Sequence, residues 1–139
     1  RVAHDSTRIY FYVRAHGKLT SPGNGNWMWL FLNTDRDPAT GWEGYDYLVK
    51  KYRPSAGKAD IYRCNLQSEW RLVGEVPFKY EDHELMLSLP RKMVNQTKVK
   101  FEFHWADDFD IDLGIRSFFL RGDNAPERRS NYLYLERQE

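Results

Sequence analysis

The stretch Lys98 to Trp105 constrains this chain more than any other. Val99, Phe101, Phe103 and Trp105 alternate strictly with Lys98, Lys100, Glu102 and His104. A period of two puts the first set on one face of a β-strand and the second on the other, facing out. Such a strand persists only in a sheet whose apolar face is covered. Arg8 to Arg14 repeats the pattern, with Ile9, Phe11 and Val13 on one side and Tyr10 and Tyr12 on the other. Glu84 to Leu89 does so through Leu85, Leu87 and Leu89. Trp27 to Leu32 is apolar on both faces, which predicts a central strand covered on both sides. Trp27, Trp29 and Trp105, with Met28 and Met86, read as core.

Further strands are expected over Tyr45–Tyr52, around Ile61 and Tyr62, over Glu69–Gly74 and Val76–Tyr80, and over Asn131–Leu135. Pro77 marks an edge or a bulge. His16 to Asn26, with three Gly, a Pro and two Asn, reads as a loop. Pro90–Val94 and Ile115–Leu120 read as helical turns. Seven to nine strands without a long 3.6-residue period predict an all-β fold, an antiparallel β-sandwich of jelly-roll-like form, as one domain over residues 1–139. Aromatic residues at 16% suit pleated, half-buried surfaces.

Twenty-one basic against 20 acidic residues leave a formal charge of +1, which predicts no strong pull toward nucleic acid or anionic membrane. The longest apolar run, Trp27 to Leu32, is far too short to span a bilayer. No signal peptide is recognisable, and the start at Arg1 without Met reads as a piece of a larger protein. The single Cys64 excludes an internal disulfide and fits a small buried thiol.

The connector Asn33 to Asp46 carries the candidate chemistry. Asn33, Asp35 and Asp37 stand at alternate positions before Pro38, Gly41 and Gly44. With Asp46 they offer the oxygen donors a calcium ion takes from a short loop. The same residues equally make Asx turns that satisfy their own backbone. Trp42, at the tip between Gly41 and Glu43, offers an indole face that can stack on a pyranose ring or fold back onto the sheet end. Tyr45, Trp70 and Arg128 are further candidate ligand contacts. Asp107, Asp108, Asp110 and Asp112 read as a solvated acidic loop. Glu127, Arg128 and Arg129 read as ties between tail and body.

Several blocks together resemble a known family. They are the strand at Ile9–Val13, the apolar strand ending Asn33-Thr-Asp35, Thr40-Gly-Trp-Glu-Gly-Tyr-Asp46, Leu87-Ser-Leu-Pro90, and Phe101-Glu-Phe-His-Trp-Ala-Asp-Asp108. In this order they look like the β-sandwich of the family 9 carbohydrate-binding modules and their DOMON-type relatives. The two-Trp sugar clamp of that family has no motif counterpart here. The tail Gly122–Tyr132 is similar to endings of accessory C-terminal domains of large secreted bacterial proteins. The resemblance implies a non-catalytic accessory domain that binds polysaccharide or oligosaccharide, extracellular or periplasmic, with calcium as a structural support. The competing expectation is a structural domain without a ligand, packing on a neighbouring domain of the parent chain through Tyr10, Tyr12, Tyr132 and Tyr134.

Overall fold

The computed structural model describes residues 1–15, 22 and 25–137, so the expected loop from His16 lies largely outside the described residues. Among the described residues, ten strands form one curled, antiparallel sheet. They are β1 (Val2–His4), β2 (Arg8–Arg14), β3 (Trp29–Asn33), β4 (Tyr47–Arg53), β5 (Lys58–Cys64), β6 (Trp70–Glu81), β7 (Glu84–Pro90), β8 (Lys100–Asp107), β9 (Asp123–Ala125) and β10 (Tyr132–Leu135). The order across the sheet is β1-β2-β7-β6-β5-β4-β3-β8-β10, with β9 beside β10 on the same edge of β8. The fold is all-β. Its helices are a 3-10 turn at Arg91–Val94, another at Gly114–Arg116, and the short α1 (Ser117–Leu120). No helix among the described residues is long and apolar enough to cross a membrane.

The curl begins in β6. The two stretches expected around Pro77 are one strand, and it changes partner along its length. Trp70 to Pro77 pairs with β5, and Phe78 to Glu81 pairs with β7. Pro77, which has no N–H for a ladder, is the residue at the handover. The sheet therefore bends back on itself, and β2 comes to face β8. Phe11 of β2 lies 5.7 Å from Phe101, 5.6 Å from Phe103 and 6.3 Å from Trp105, ring to ring. The inward faces of both halves share this buried core, and Trp27 closes one end of it against Tyr52 and Phe78.

A second apolar cluster covers the outer face of β3, β4 and β8. Trp29, Phe31 and Leu48 meet Phe109 and Phe118, which are brought over by the segment after β8. That second cover is why all five residues of β3 are buried, as a strand apolar on both faces requires. It also corrects the expectation for His104. Its side chain points away from the main core but is fully buried, stacked on Phe118 at 4.0 Å. Met86 departs the other way. Leu85, Leu87 and Leu89 take the inward positions of β7, so Met86 faces out and is 50% exposed. Strands β1 and β9, three residues each, are too short to leave a periodic signature in the sequence.

Candidate functional site

The β3–β4 connector folds as a chain of side-chain-to-backbone hydrogen bonds. Asp35 Oδ1 accepts from the Asp37 N–H at 2.9 Å, and Asp37 Oδ1 from the Ala39 N–H at 2.8 Å. Asp46 Oδ2 accepts from the Thr34 N–H at 2.9 Å. The Asp35 and Asp37 bonds are Asx turns, the metal-free alternative open to such residues. Beyond them, the chain reverses through Glu43 and Gly44, at φ +53° and +90°. Positive φ at both central residues is what a type I′ turn requires. Trp42 and Tyr45 close that turn with reciprocal backbone bonds of 2.9 and 2.8 Å.

Three acceptor oxygens gather at the Thr40 hydroxyl. Its Oγ1 lies 2.6 Å from Asp35 Oδ2, 3.2 Å from Asp46 Oδ1 and 3.1 Å from the Asp37 carbonyl oxygen. One hydroxyl hydrogen serves only one of these acceptors, so two carboxylate oxygens converge with incomplete compensation. Burial pushes the Asp46 carboxyl above the ordinary carboxylate range, and the charge of Asp35 adds to it. Two carboxylates, a carbonyl and a hydroxyl can hold one side of a calcium ion, with water completing the shell. Asp37 would join through its backbone. Asn33 takes no part in this network; it is 3% exposed and its Oδ1 has no hydrogen-bond partner. Among the described residues, no three His, Cys, Asp or Glu side chains converge on a point.

The four candidate ligand contacts do not form one surface. Trp42 folds back, half-buried, and stacks on Phe31 at 5.5 Å; Trp70, also half-buried, lies 6.5 Å from it. Tyr45 sits beneath them at 0% exposure and has no ring face for a ligand. Its hydroxyl is 2.5 Å from Asn131 Oδ1 and accepts from Arg129 Nη1 at 3.2 Å. Burial holds this phenol well above its ordinary pKa. Arg129 also donates to the Glu43 carbonyl, so Arg129 ties the tail to the connector. Arg128 is exposed and makes no hydrogen bond or ion pair among the described residues. The acidic run after β8 is likewise absorbed locally, Asp107 accepting from the Met28 N–H and Asp108 pairing with Arg121 at 3.0 Å.

A different surface has the shape of a site. The outward face of β2, β7 and the end of β6 forms an open groove of about 1110 Å³. Tyr10, Tyr12, Met86 and Ser88 lie in its floor, with Tyr12 opposite Met86 and Tyr10 opposite Ser88. Residues Arg1 to Ala3 border it on one side and the β4–β5 turn, Pro54 to Lys58, on the other. Arg53 braces that turn by pairing with Asp60 at 2.8 Å and Glu75 at 2.5 Å. Tyr10 is 41% exposed. Its hydroxyl donates to Asp5 Oδ2 at 2.7 Å, and that of Tyr12 to Glu84 Oε1 at 2.8 Å. Both rings are thus held in place by carboxylates. The outward position of the two tyrosines is legible in the alternation of β2. The groove is not, because it needs β7 and the β4–β5 turn beside them. No family model, curated protein or solved structure matches this chain.

Proposed function

We propose that this is a non-catalytic accessory domain that binds polysaccharide, and that the groove over β2, β7 and β6 is its binding face. One observation carries the reading: a groove floored by two oriented tyrosine rings beside Met86, with carboxylates and lysines around them. A sugar ring presents apolar C–H faces and a belt of hydroxyls, so it suits an aromatic plane edged by charged hydrogen-bonding groups. The two facing halves of the curled sheet are compatible with a β-sandwich, and the reading takes it as one of the family 9 carbohydrate-binding type in an extracellular or periplasmic parent protein. Calcium belongs to the proposal as a support for the connector, held by Asp35, Asp46, Thr40 and the Asp37 carbonyl. Trp42 and Trp70 then serve as the connector's packing.

Affinity electrophoresis through gels containing soluble glucan, xylan or mannan tests this. The wild-type domain is retarded by at least one polymer, and Tyr12→Ala runs as in an empty gel. Equal mobility of both proteins in every gel would refute the reading.

The second reading, a docking domain without a ligand, is favoured by β10. Leu133 and Leu135 are 55% and 49% exposed on its outward face, on a strand that is paired along one edge only among the described residues. Exposed apolar residues on an open edge suit another protein surface. Tyr132 and Tyr134, expected in the same patch, both take the other face of the strand, beside Phe103 and Phe101.

A further inference from the structure

Strand β10 ends the sheet, and its free side carries a pattern of its own. The Glu136 N–H donates to the Val99 carbonyl at 2.8 Å, and the register sets Tyr134 opposite Phe101 and Tyr132 opposite Phe103. Bonded and non-bonded pairs alternate along an antiparallel ladder, so Tyr132, Tyr134 and Glu136 direct their backbone groups at β8. Leu133 and Leu135 therefore aim their N–H and C=O at the open edge, where no strand pairs with β10 among the described residues. Their side chains stand on the outward face, each about half exposed. Strand β10 also pairs with β8 in unbroken register and has no charged residue between Tyr132 and Leu135. It lacks the bulge or strand charge that blunts many sheet edges, and so offers a template for a further strand.

A second β10 fits that template. Antiparallel pairing about a two-fold axis through Tyr134 sets Leu133 of each copy opposite Leu135 of the other. Both residues of such a pair carry edge-facing backbone groups, so each pair exchanges two N–H···O bonds and covers two leucine side chains. The charges match as well. On the outward face Leu135 neighbours Lys100 and Leu133 neighbours Glu102, so each leucine pair is flanked by Lys100 of one copy and Glu102 of the other. Arg137 is exposed and has no ion-pair partner among the described residues. It comes opposite Asn131 of the other copy, the residue whose amide donates to Glu102. Moving the axis to Leu133 would set Leu135 against Asn131 and bring Arg137 toward Arg129, a meeting of like charges that disfavours that register.

We infer that this chain self-associates through β10, two copies joining their sheets edge to edge about a two-fold axis at Tyr134. The inference rests on the docking reading of β10, to which it gives a defined occupant, and is independent of the groove. Four strand residues a side make a small interface, so the dimer dissociates on dilution.

Analytical ultracentrifugation of the chain from micromolar to millimolar concentration tests this. The average mass of the wild type rises from monomer toward dimer. Leu133→Lys, an exposed substitution that puts a charge into the leucine pair, weakens association at least tenfold. Leu135→Pro does the same, because it removes an edge-facing N–H and no bond to β8. Met86→Lys, on the groove floor, leaves association unchanged. Oxidative cross-linking in a Cys64→Ser background reads the register. Leu133→Cys mixed with Leu135→Cys gives at least threefold more disulfide dimer than either variant alone, since only the mixed pair stands directly opposite, at a Cα separation of about 5.5 Å. A wild type that stays monomeric throughout, with no excess cross-linking in the mixture, would overturn self-pairing and leave β10 as a surface for a different protein. A dimer that persists in Leu133→Lys and Leu135→Pro would overturn it too, by placing the contact elsewhere on the chain.

Discussion

His4 Nδ1 and the Tyr134 hydroxyl are 130 positions apart in sequence and 2.7 Å apart in the fold. Strand β1 is one end of the sheet path and β10 the other, so this contact joins the two open ends of the curl. The rings also meet edge to face at 5.7 Å. Tyr134→Phe keeps the ring and deletes the bond, and is expected to cost about 1 kcal/mol. Urea unfolding measures it. A variant as stable as the wild type would show that packing alone closes the seam.

Two glycines separate backbone strain from collision. At Gly114, φ +58°, an added Cβ would meet nothing within 4 Å, whereas at Gly41, φ +68°, it would sit 2.0 Å from the Tyr45 carbonyl oxygen. Gly114→Ala is expected to cost roughly 1–2 kcal/mol for the left-handed conformation. Gly41→Ala should cost more than about 3 kcal/mol, because the Trp42–Tyr45 turn must also move. Thermal denaturation of the pair ranks them; equal losses would mean that the connector relaxes freely.

Calcium should raise the melting temperature of the wild type, since an ion bound only by the folded state stabilises it. Asp35→Ala removes one of the two carboxylates at Thr40 and should abolish the calcium response. A melting temperature unmoved between EDTA and millimolar calcium would reduce the connector to its Asx turns.

His104 sets an acid limit. Burial lowers its pKa, outweighing the bonds to Asn124 and Ser130 that act the other way. The unfolded chain therefore takes up a proton, below about pH 6.5, that the folded imidazole resists. Its contribution is intact above that pH and is lost as pH falls, by up to ~1.4 kcal/mol per pH unit. Asp46 and Asp107, both raised by burial, act in the opposite sense at lower pH, in the carboxylate range. Unfolding free energies between pH 7.5 and 5.5 should fall for the wild type and stay flatter for His104→Gln. Identical slopes would exclude His104.

The Arg53 bridges hold the groove wall from outside the floor. Arg53→Ala should therefore weaken glycan binding several-fold while leaving Tyr10 and Tyr12 in place. Because the guanidinium is substantially exposed, its loss should cost less than about 1 kcal/mol in stability. A large stability loss with unchanged binding would reverse that assignment.

Strand positions are legible in the sequence where one face is buried and the other wet, as in β2, β7 and β8. The double cover of β3 is legible from the unbroken run at Leu30 to Leu32. Alternation reports which side a residue takes, though, and not what lies there. His104 and Met86 depart from expectation for opposite reasons, one buried by a later segment and one displaced by its leucine neighbours. The connector's Asx turns can be read from spacing, because their partners are two residues away. The groove cannot, since Tyr12 meets Glu84 across 72 positions.

Sugar seated over β2, β7 and β6 would be seen residue by residue in an amide NMR titration of the ¹⁵N-labelled domain with cellohexaose, xylohexaose and mannohexaose. For at least one of the three, saturable shifts are expected at Tyr10, Tyr12, Lys79 and Met86, with Trp42, Trp70 and Tyr132 unmoved. Shifts centred on the Trp42–Trp70 corner, or none with any of the three, would contradict the assignment of the groove as the binding face.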